Sequence, residues 1–462
     1  MRTLGLIERN RFMGIYKPIF LLMLLFVSIP SLFAQLLEEE TRPPTIEVES
    51  VRFMVEGGNT RPQALARWTD VKEGQRYASL EELQQAVDKD VQDLVNRRIF
   101  LDVRADVVPG EQPGDYQVTY HIEDGFTFIP VPLPLYDSNT GGVQILYVQI
   151  WDNALGTMAD WFSLVNITVR KNSAGKVVAG PWLFAPRINN IRTGDFIFGV
   201  GFDQERVITK RYKDNTLSAD YQYDRSAFLF STEFQFPRND DWSYTVEPGA
   251  EFRYSYKDYL GSGGFERIRF DGGIRHKLAF DNVDTLNNAR TGIKAELSNT
   301  LRVIEADGQW RPAADIGASM AAYFSFGPQG WFTYYGRVKA LTVFNDTYDN
   351  LGENLRGITD ATMDGKYGLF FNNTLGIRVW KWKGVWDLQI HPFFDVGFVL
   401  DEQGWTGGWT PLRRSTGADV LLFIEKVPNL SFRFTWGVDL ESTTPWGDDN
   451  KTEFIVRYAY SY

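Results

Sequence analysis

The 462-residue chain has no cysteine. That excludes a disulfide framework, a thiolate metal site and a lipidated cysteine anchor. Histidine is scarce: His121, His276 and His391 lie far apart, without metal-ligand spacing, and no serine occupies a nucleophile elbow. No catalytic residue, metal site or cofactor is therefore expected. Past the N-terminal region no apolar run is long enough to span a bilayer as a helix, and mean hydropathy is −0.27. A bundle of membrane helices is excluded. The net charge of −11 argues against a nucleic-acid partner.

What is abundant is aromatic side chains (15%) and glycine (41 residues). The aromatics are patterned. In the last stretch, TEFIVRYAYSY, Phe454, Val456, Tyr458, Tyr460 and Tyr462 share one face of an extended strand, opposite Glu453, Arg457 and Ser461. Residues 226–236 and 429–440 repeat the pattern, with Phe228, Phe230, Phe234 and Phe236, and with Phe432, Phe434 and Trp436, each facing away from polar neighbours. In a soluble sandwich such a face would be buried. Its recurrence opposite charged residues instead implies a barrel wall, oily outside and polar within.

The N-terminus carries Arg2, Arg9, Arg11 and Lys17, then the apolar run Ile19 to Phe33, ending at Ala34. This predicts a secretory signal peptide over 1–34, cleaved before Gln35, with a retained anchor helix as the alternative. A linker (35–44) leads into a small α+β domain (45–125). There a strand near Ile46–Val55 precedes a helix after Pro62. A second helix is capped by Ser79 and Glu82, and strands follow at 100–108 and 115–123. From 126 to 462 a transmembrane β-barrel of about sixteen antiparallel strands is expected. The candidates lie near 142–153, 157–171, 176–187, 194–208, 214–223, 226–236, 241–257, 265–280, 290–303, 313–327, 330–345, 367–380, 385–400, 415–426, 429–440 and 451–462. The closing strand is 452–462.

Three short motifs sit on this frame. They are Leu355-Arg356-Gly357-Ile358 in a long loop, Phe393-x-Asp395-x-Gly397 on a strand, and Asp152 to Thr157 after the first candidate barrel strand. With the preceding domain, they resemble the POTRA-plus-barrel superfamily of outer-membrane assembly and translocation proteins, to which BamA and TamA belong. Ile358 stands where that family carries an aromatic, and Gly376 where an acidic residue often precedes Arg378. Only one POTRA-like domain fits.

The resemblance implies that the Arg356 loop folds into the lumen. A guanidinium there needs a carboxylate, and Asp395 is the expected bidentate partner. It implies outer-membrane lipids, unfolded polypeptide clients, and periplasmic or lipoprotein partners. The location implied is the bacterial outer membrane, with the small domain in the periplasm. Function is then insertion or translocation of polypeptides; the alternative is a passive solute or lipid channel plugged by the same loop. The first strand of the small domain, 46–55, is the candidate edge for client capture, with a simple spacer role for the domain as the alternative. Trp331, Trp380, Trp382, Trp386, Trp405 and Trp409 are expected as interfacial anchors.

Overall fold

The computed structural model describes residues 46–460, less segments 138–141, 172–176, 214–215, 237–240, 261–266, 347–350, 359–362, 401–411, 426–429 and 442–451 and residues 58, 287 and 364. The signal-peptide and linker expectations fall outside the described residues, as do Tyr462, Trp405 and Trp409.

The small domain is built from β1 (Ile46–Glu56), α1 (Pro62–Trp68), β2 (Arg76–Tyr77), α2 (Leu80–Asn96), β3 (Phe100–Pro109) and β4 (Asp115–Asp124). Its sheet order is β2-β1-β4-β3, with β1 and β4 parallel. Helix α2 begins as its sequence dictates: the Ser79 hydroxyl accepts from the Glu82 amide at 3.2 Å, and the Glu82 carboxylate accepts from the Ala78 amide at 2.6 Å. Its apolar stripe, Leu83, Val87 and Leu94, is fully buried against Val48, Val118, Tyr120 and Ile122 of the sheet. Asp90 interrupts that stripe, yet it is buried because it accepts from the Asp70 and Val71 amides and the Tyr120 hydroxyl. The expected capture edge is narrowed here. The two-residue β2 covers the start of β1 at Ile46 and Glu47 and, among the described residues, pairs with no more of it. The sheet's end strands are β2 and β3.

The rest forms one antiparallel sheet. Its first strands are β5 (Phe128–Asp137), β6 (Gly142–Trp151), β7 (Asp160–Lys171), β8 (Val177–Thr193) and β9 (Phe196–Lys213). Next come β10 (Thr216–Gln235), β11 (Trp242–Leu260), β12 (Ile268–Asp281), β13 (Asp284–Leu286), β14 (Ala289–Ala306) and β15 (Gln309–Phe326). The sheet ends with β16 (Phe332–Phe344), β17 (Tyr367–Trp382), β18 (Trp386–Leu400), β19 (Arg413–Ile424), β20 (Leu430–Asp439) and β21 (Thr452–Tyr460). Neighbours in sequence are neighbours in the sheet, which closes where β21 meets β5. Among the described residues that closure is one rung, Ile455 opposite Asp137. The three-residue β13 pairs only with β14, while β12 also pairs β14. Among the described residues, sixteen strands therefore make the wall.

The expected number is met through two differences that cancel. The candidates at 214–223 and 226–236 fall on a single strand, β10, over residues 216–235, because Asp224 and Arg225 continue the ladder with β9 opposite Arg206 and Glu205 through the apparent break. The first wall strand is β5, absent from the candidate list, so 142–153 corresponds to the second. Pro130, Pro132 and Pro134 hide β5, since proline normally argues against a strand. The alternation itself holds. Phe228, Phe230, Trp436, Trp380 and Trp382 are exposed, whereas Asn372, Arg378, Gln389, Asp395 and Asp419 face the bore and are buried. Trp331 is exposed as well, and Trp386 is half-buried. In β21, the register sets positions 454 and 456 opposite Trp436 and Phe434, both of which are exposed.

Candidate functional site

The loop between β16 and β17 folds back into the bore, and the four motif residues carry it. Arg356 lies at its tip. Its Nη2 donates to Asp395 Oδ1 at 2.7 Å and its Nε to Asp395 Oδ2 at 2.9 Å, the two-pronged contact expected from sequence. The Arg356 backbone amide adds a third bond to Asp395 Oδ2 at 3.1 Å. The guanidinium also lies 4.0 Å over the Phe393 ring. Phe393 and Asp395 thus serve one side chain, an alternation-of-two relationship on β18 that puts both in the bore.

The sequence reading missed a second carboxylate. Arg356 Nη1 donates to Asp419 Oδ2 at 3.1 Å, and Asp419 is shared with Arg433 at 2.6 Å and the Thr435 hydroxyl at 2.6 Å. Asp395 and Asp419 are both wholly buried. Nothing local in sequence flags Asp419; only the register of β18, β19 and β20 brings it to the loop.

The glycines of the motifs supply space. A Cβ on Gly397 would come within 2.5 Å of the Leu355 side chain, so Leu355 packs where that side chain would be. Gly357 has φ +83° and rests on the wall at Gly437 and Val438. Leu355 and Ile358 are buried with Leu351, Met363, Phe370 and Val399. An aliphatic residue at 358 fits this apolar cluster. Asn354 ties the loop further, accepting from Lys339 Nζ at 2.8 Å and, through its carbonyl, from Asn372 at 2.9 Å.

Elsewhere the inner wall carries compensated charges. Arg225 forms ion pairs with Glu205 at 2.7 Å and Glu251 at 3.0 Å, and Arg302 with Asp271 at 2.6 Å, Asp315 at 2.7 Å and Asp346 at 2.9 Å.

At one end of the barrel several contacts hold the small domain to the wall, among them Arg97 to Asp160 at 3.5 Å and the Arg192 guanidinium 4.8 Å over the Trp68 ring, and two hydrogen-bonded joints stand out. The first is the Asn153-to-Thr157 turn between β6 and β7. Asn153 donates to the Thr60 hydroxyl and accepts from the Met158 amide, while Thr60 bonds Asp124. The Arg61 amide donates to the Gly156 carbonyl at 3.0 Å, and a side chain on Gly156 (φ +72°) would overlap the Asn59 carbonyl. The third motif is thus a domain joint. The second contact runs from α2. Asn96 bonds Asp284 and Thr285, and Arg98 donates to Asn288 Oδ1 at 2.8 Å. Burial, with Arg290 beside it, brings the Arg98 guanidinium down to about 10. Asn288 donates onward to Asp387, the partner of Arg378 at 3.0 Å in a fully dry ion pair. Gly376 is accounted for nearby, because a side chain there would collide with Thr333 and with His391.

His121 faces Asp106 on the domain surface, His276 bonds the Tyr244 hydroxyl, and His391 bonds Gln389 inside the bore. The structure brings none of the three together. Among the described residues no group of three acidic or histidine side chains is placed to hold a metal ion.

No protein-family model matches the chain, and no curated protein does. Solved structures do. The chain is similar to BamA from Haemophilus ducreyi lacking POTRA domains 1–3, with 13% identity, a TM-score of 0.50, and coverage of 91% of this chain and 85% of that one. It is similar to CdiB from Escherichia coli, with 16% identity, a TM-score of 0.58, and coverage of 89% and 76%. CdiB from Acinetobacter baumannii gives 12% identity, a TM-score of 0.59, and coverage of 90% and 74%. What this chain shares with these proteins is their barrel fold.

Proposed function

We propose that this protein lies in a bacterial outer membrane, with its small domain acting as a POTRA domain in the periplasm, and that it inserts or translocates polypeptides. The observation that carries this reading is the Arg356 loop, fixed in the bore by two buried carboxylates and an apolar cluster. A wall with exposed Phe and Trp outside and paired charges inside suits lipid on one face and water on the other. The fold shared with BamA and CdiB supports the same reading. Clients are unfolded polypeptides, and no catalytic step or cofactor is involved. Strand β3, at one end of the small sheet, and β1 beyond Glu47 offer edges to an extended client segment.

The test is depletion of the protein in its own cell. Loss of several other barrel proteins, or of one exported polypeptide, from the outer membrane is the expected result. Unchanged levels of both overturn the proposal. The charged inner wall favours a second reading, a solute channel plugged by the loop, for which single-channel recordings of the wild type would show steady large conductance.

A further inference from the structure

Arg98, just past the end of α2, borders a cavity of about 40 Å³ set between the small domain and the inner wall. That is room for about three waters, or for one group the size of phosphate or carboxylate. A second guanidinium lines it from the wall, that of Arg290 at the start of β14. Arg290 also lies 5.6 Å over the Tyr323 ring, whose centroid is 5.0 Å from that of Tyr335. Register sets Tyr323, Tyr335 and Thr374 in one row across β15, β16 and β17, and all three line the cavity. The row runs on to Phe393, the ring beneath Arg356.

Two observations point to an anion as the occupant. Two guanidinia share one poorly solvated space, where like charges repel and an anion between them relieves both. Arg290 is the neighbouring charge that, with burial, brings Arg98 down to about 10. Independently, Thr374 is only 4% exposed, and among the described residues its buried hydroxyl has no hydrogen-bond partner. A buried hydroxyl is left unpaired at a cost, and an oxyanion oxygen in the cavity can accept from it.

We propose that this cavity is an oxyanion site, taking one phosphate- or carboxylate-sized group between Arg98, Arg290 and the Thr374 hydroxyl, and that the bound anion fastens the small domain to the wall. Arg98 belongs to one domain, Arg290 and Thr374 to the other. The site is complete only when the two are joined, so binding must favour the joined state. None of this depends on the insertion reading above.

The experiment is hydrogen exchange on the full chain in maltoside micelles, which carry no phosphate, with inorganic phosphate, acetate or chloride at equal ionic strength. At ten times its Kd, phosphate or acetate should slow exchange of the Arg97 and Arg98 amides, which close α2, by about tenfold. Equal slowing by chloride, or none by either oxyanion, overturns the proposal. Calorimetric titration with phosphate then tests the residues. Arg290→Gln should weaken binding by about tenfold or more, and Thr374→Val by about three- to tenfold. Thr374→Val removes an unpaired hydroxyl, so its exchange without anion should be no faster than wild type; unaltered phosphate affinity in both variants overturns the assignment. Phospholipid nanodiscs without added anion separate the sources. Protection at the phosphate-saturated level means that a lipid headgroup fills the site, and protection at the chloride level means that a free ion does.

Discussion

Gly437 of β20 meets Gly357 of the loop so closely that a Cβ on Gly437 would lie 2.5 Å from the Gly357 Cα. Two backbones touch there, and the loop is seated through that contact as much as through its arginine. Gly437→Ala should lift the loop tip from the wall. Gly357→Ala should do so more severely: its added Cβ meets the Val438 amide at 2.6 Å and also incurs the left-handed backbone penalty of about 1–2 kcal/mol. Both substitutions should raise single-channel conductance over wild type, with Gly357→Ala higher. Wild-type conductance in both would show that the loop is held elsewhere.

Arg356 is bound by Asp395 and Asp419 together, and this changes what a charge swap can achieve. Arg356→Ala should cost about 3–5 kcal/mol of loop docking, since it leaves the buried Asp395 carboxylate without its guanidinium and takes one of three partners from Asp419. Arg356→Asp with Asp395→Arg restores one contact but sets the newly introduced loop carboxylate against Asp419. Rescue of heat resistance on semi-native gels should therefore be partial. Full rescue by the two-residue swap would show that Asp419 contributes nothing.

The joint through Arg98 and Asn288 should be separable from the stability of the barrel. Asn288→Ala removes an acceptor of Arg98 and one donor to Asp387. Hydrogen exchange in α2 and β13 should rise by about three- to tenfold, equivalent to about 1 kcal/mol, while wall strands far from the joint keep their protection. Uniform loss of protection through the wall would instead mark Asn288 as part of the barrel's own folding.

Asp90 gives the small domain a pH dependence with a defined sign. Desolvation raises its carboxyl above the ordinary range, against the bonds from Asp70, Tyr120 and Val71 that favour the ionised form. A group whose folded value is raised takes up its proton first in the folded state. As pH falls from neutral through that raised value toward the unfolded one of about 4, the wild-type domain should gain stability relative to Asp90→Asn. Exchange of the Val71 and Leu94 amides, measured in both proteins across that range and corrected for intrinsic rates, reports it. A constant difference between the two would refute the assignment.

Much of this molecule is local in its logic. The Ser79–Glu82 cap, the period-two aromatics and the glycines of the loop motif each act within a few residues, so composition and spacing expose them. The pairing of Arg356 with Asp395 was legible as a need, because a buried guanidinium requires a carboxylate. Asp419 was not, since its place beside Arg356 depends on the stagger of three strands. Strand β5 was hidden for a different reason: proline opposes strands in general, and only a neighbour on one flank makes its donors dispensable there.

The amino-acid order alone determined that alternate side chains face opposite media, because an extended backbone turns every second residue over. It determined that a guanidinium and a glycine would sit at the loop tip. Which carboxylates that guanidinium meets, where the small domain grips the barrel, and which strands meet at the seam were settled by tertiary structure. Those relations join residues tens to hundreds of positions apart, and only the shear and closure of the sheet set their distances.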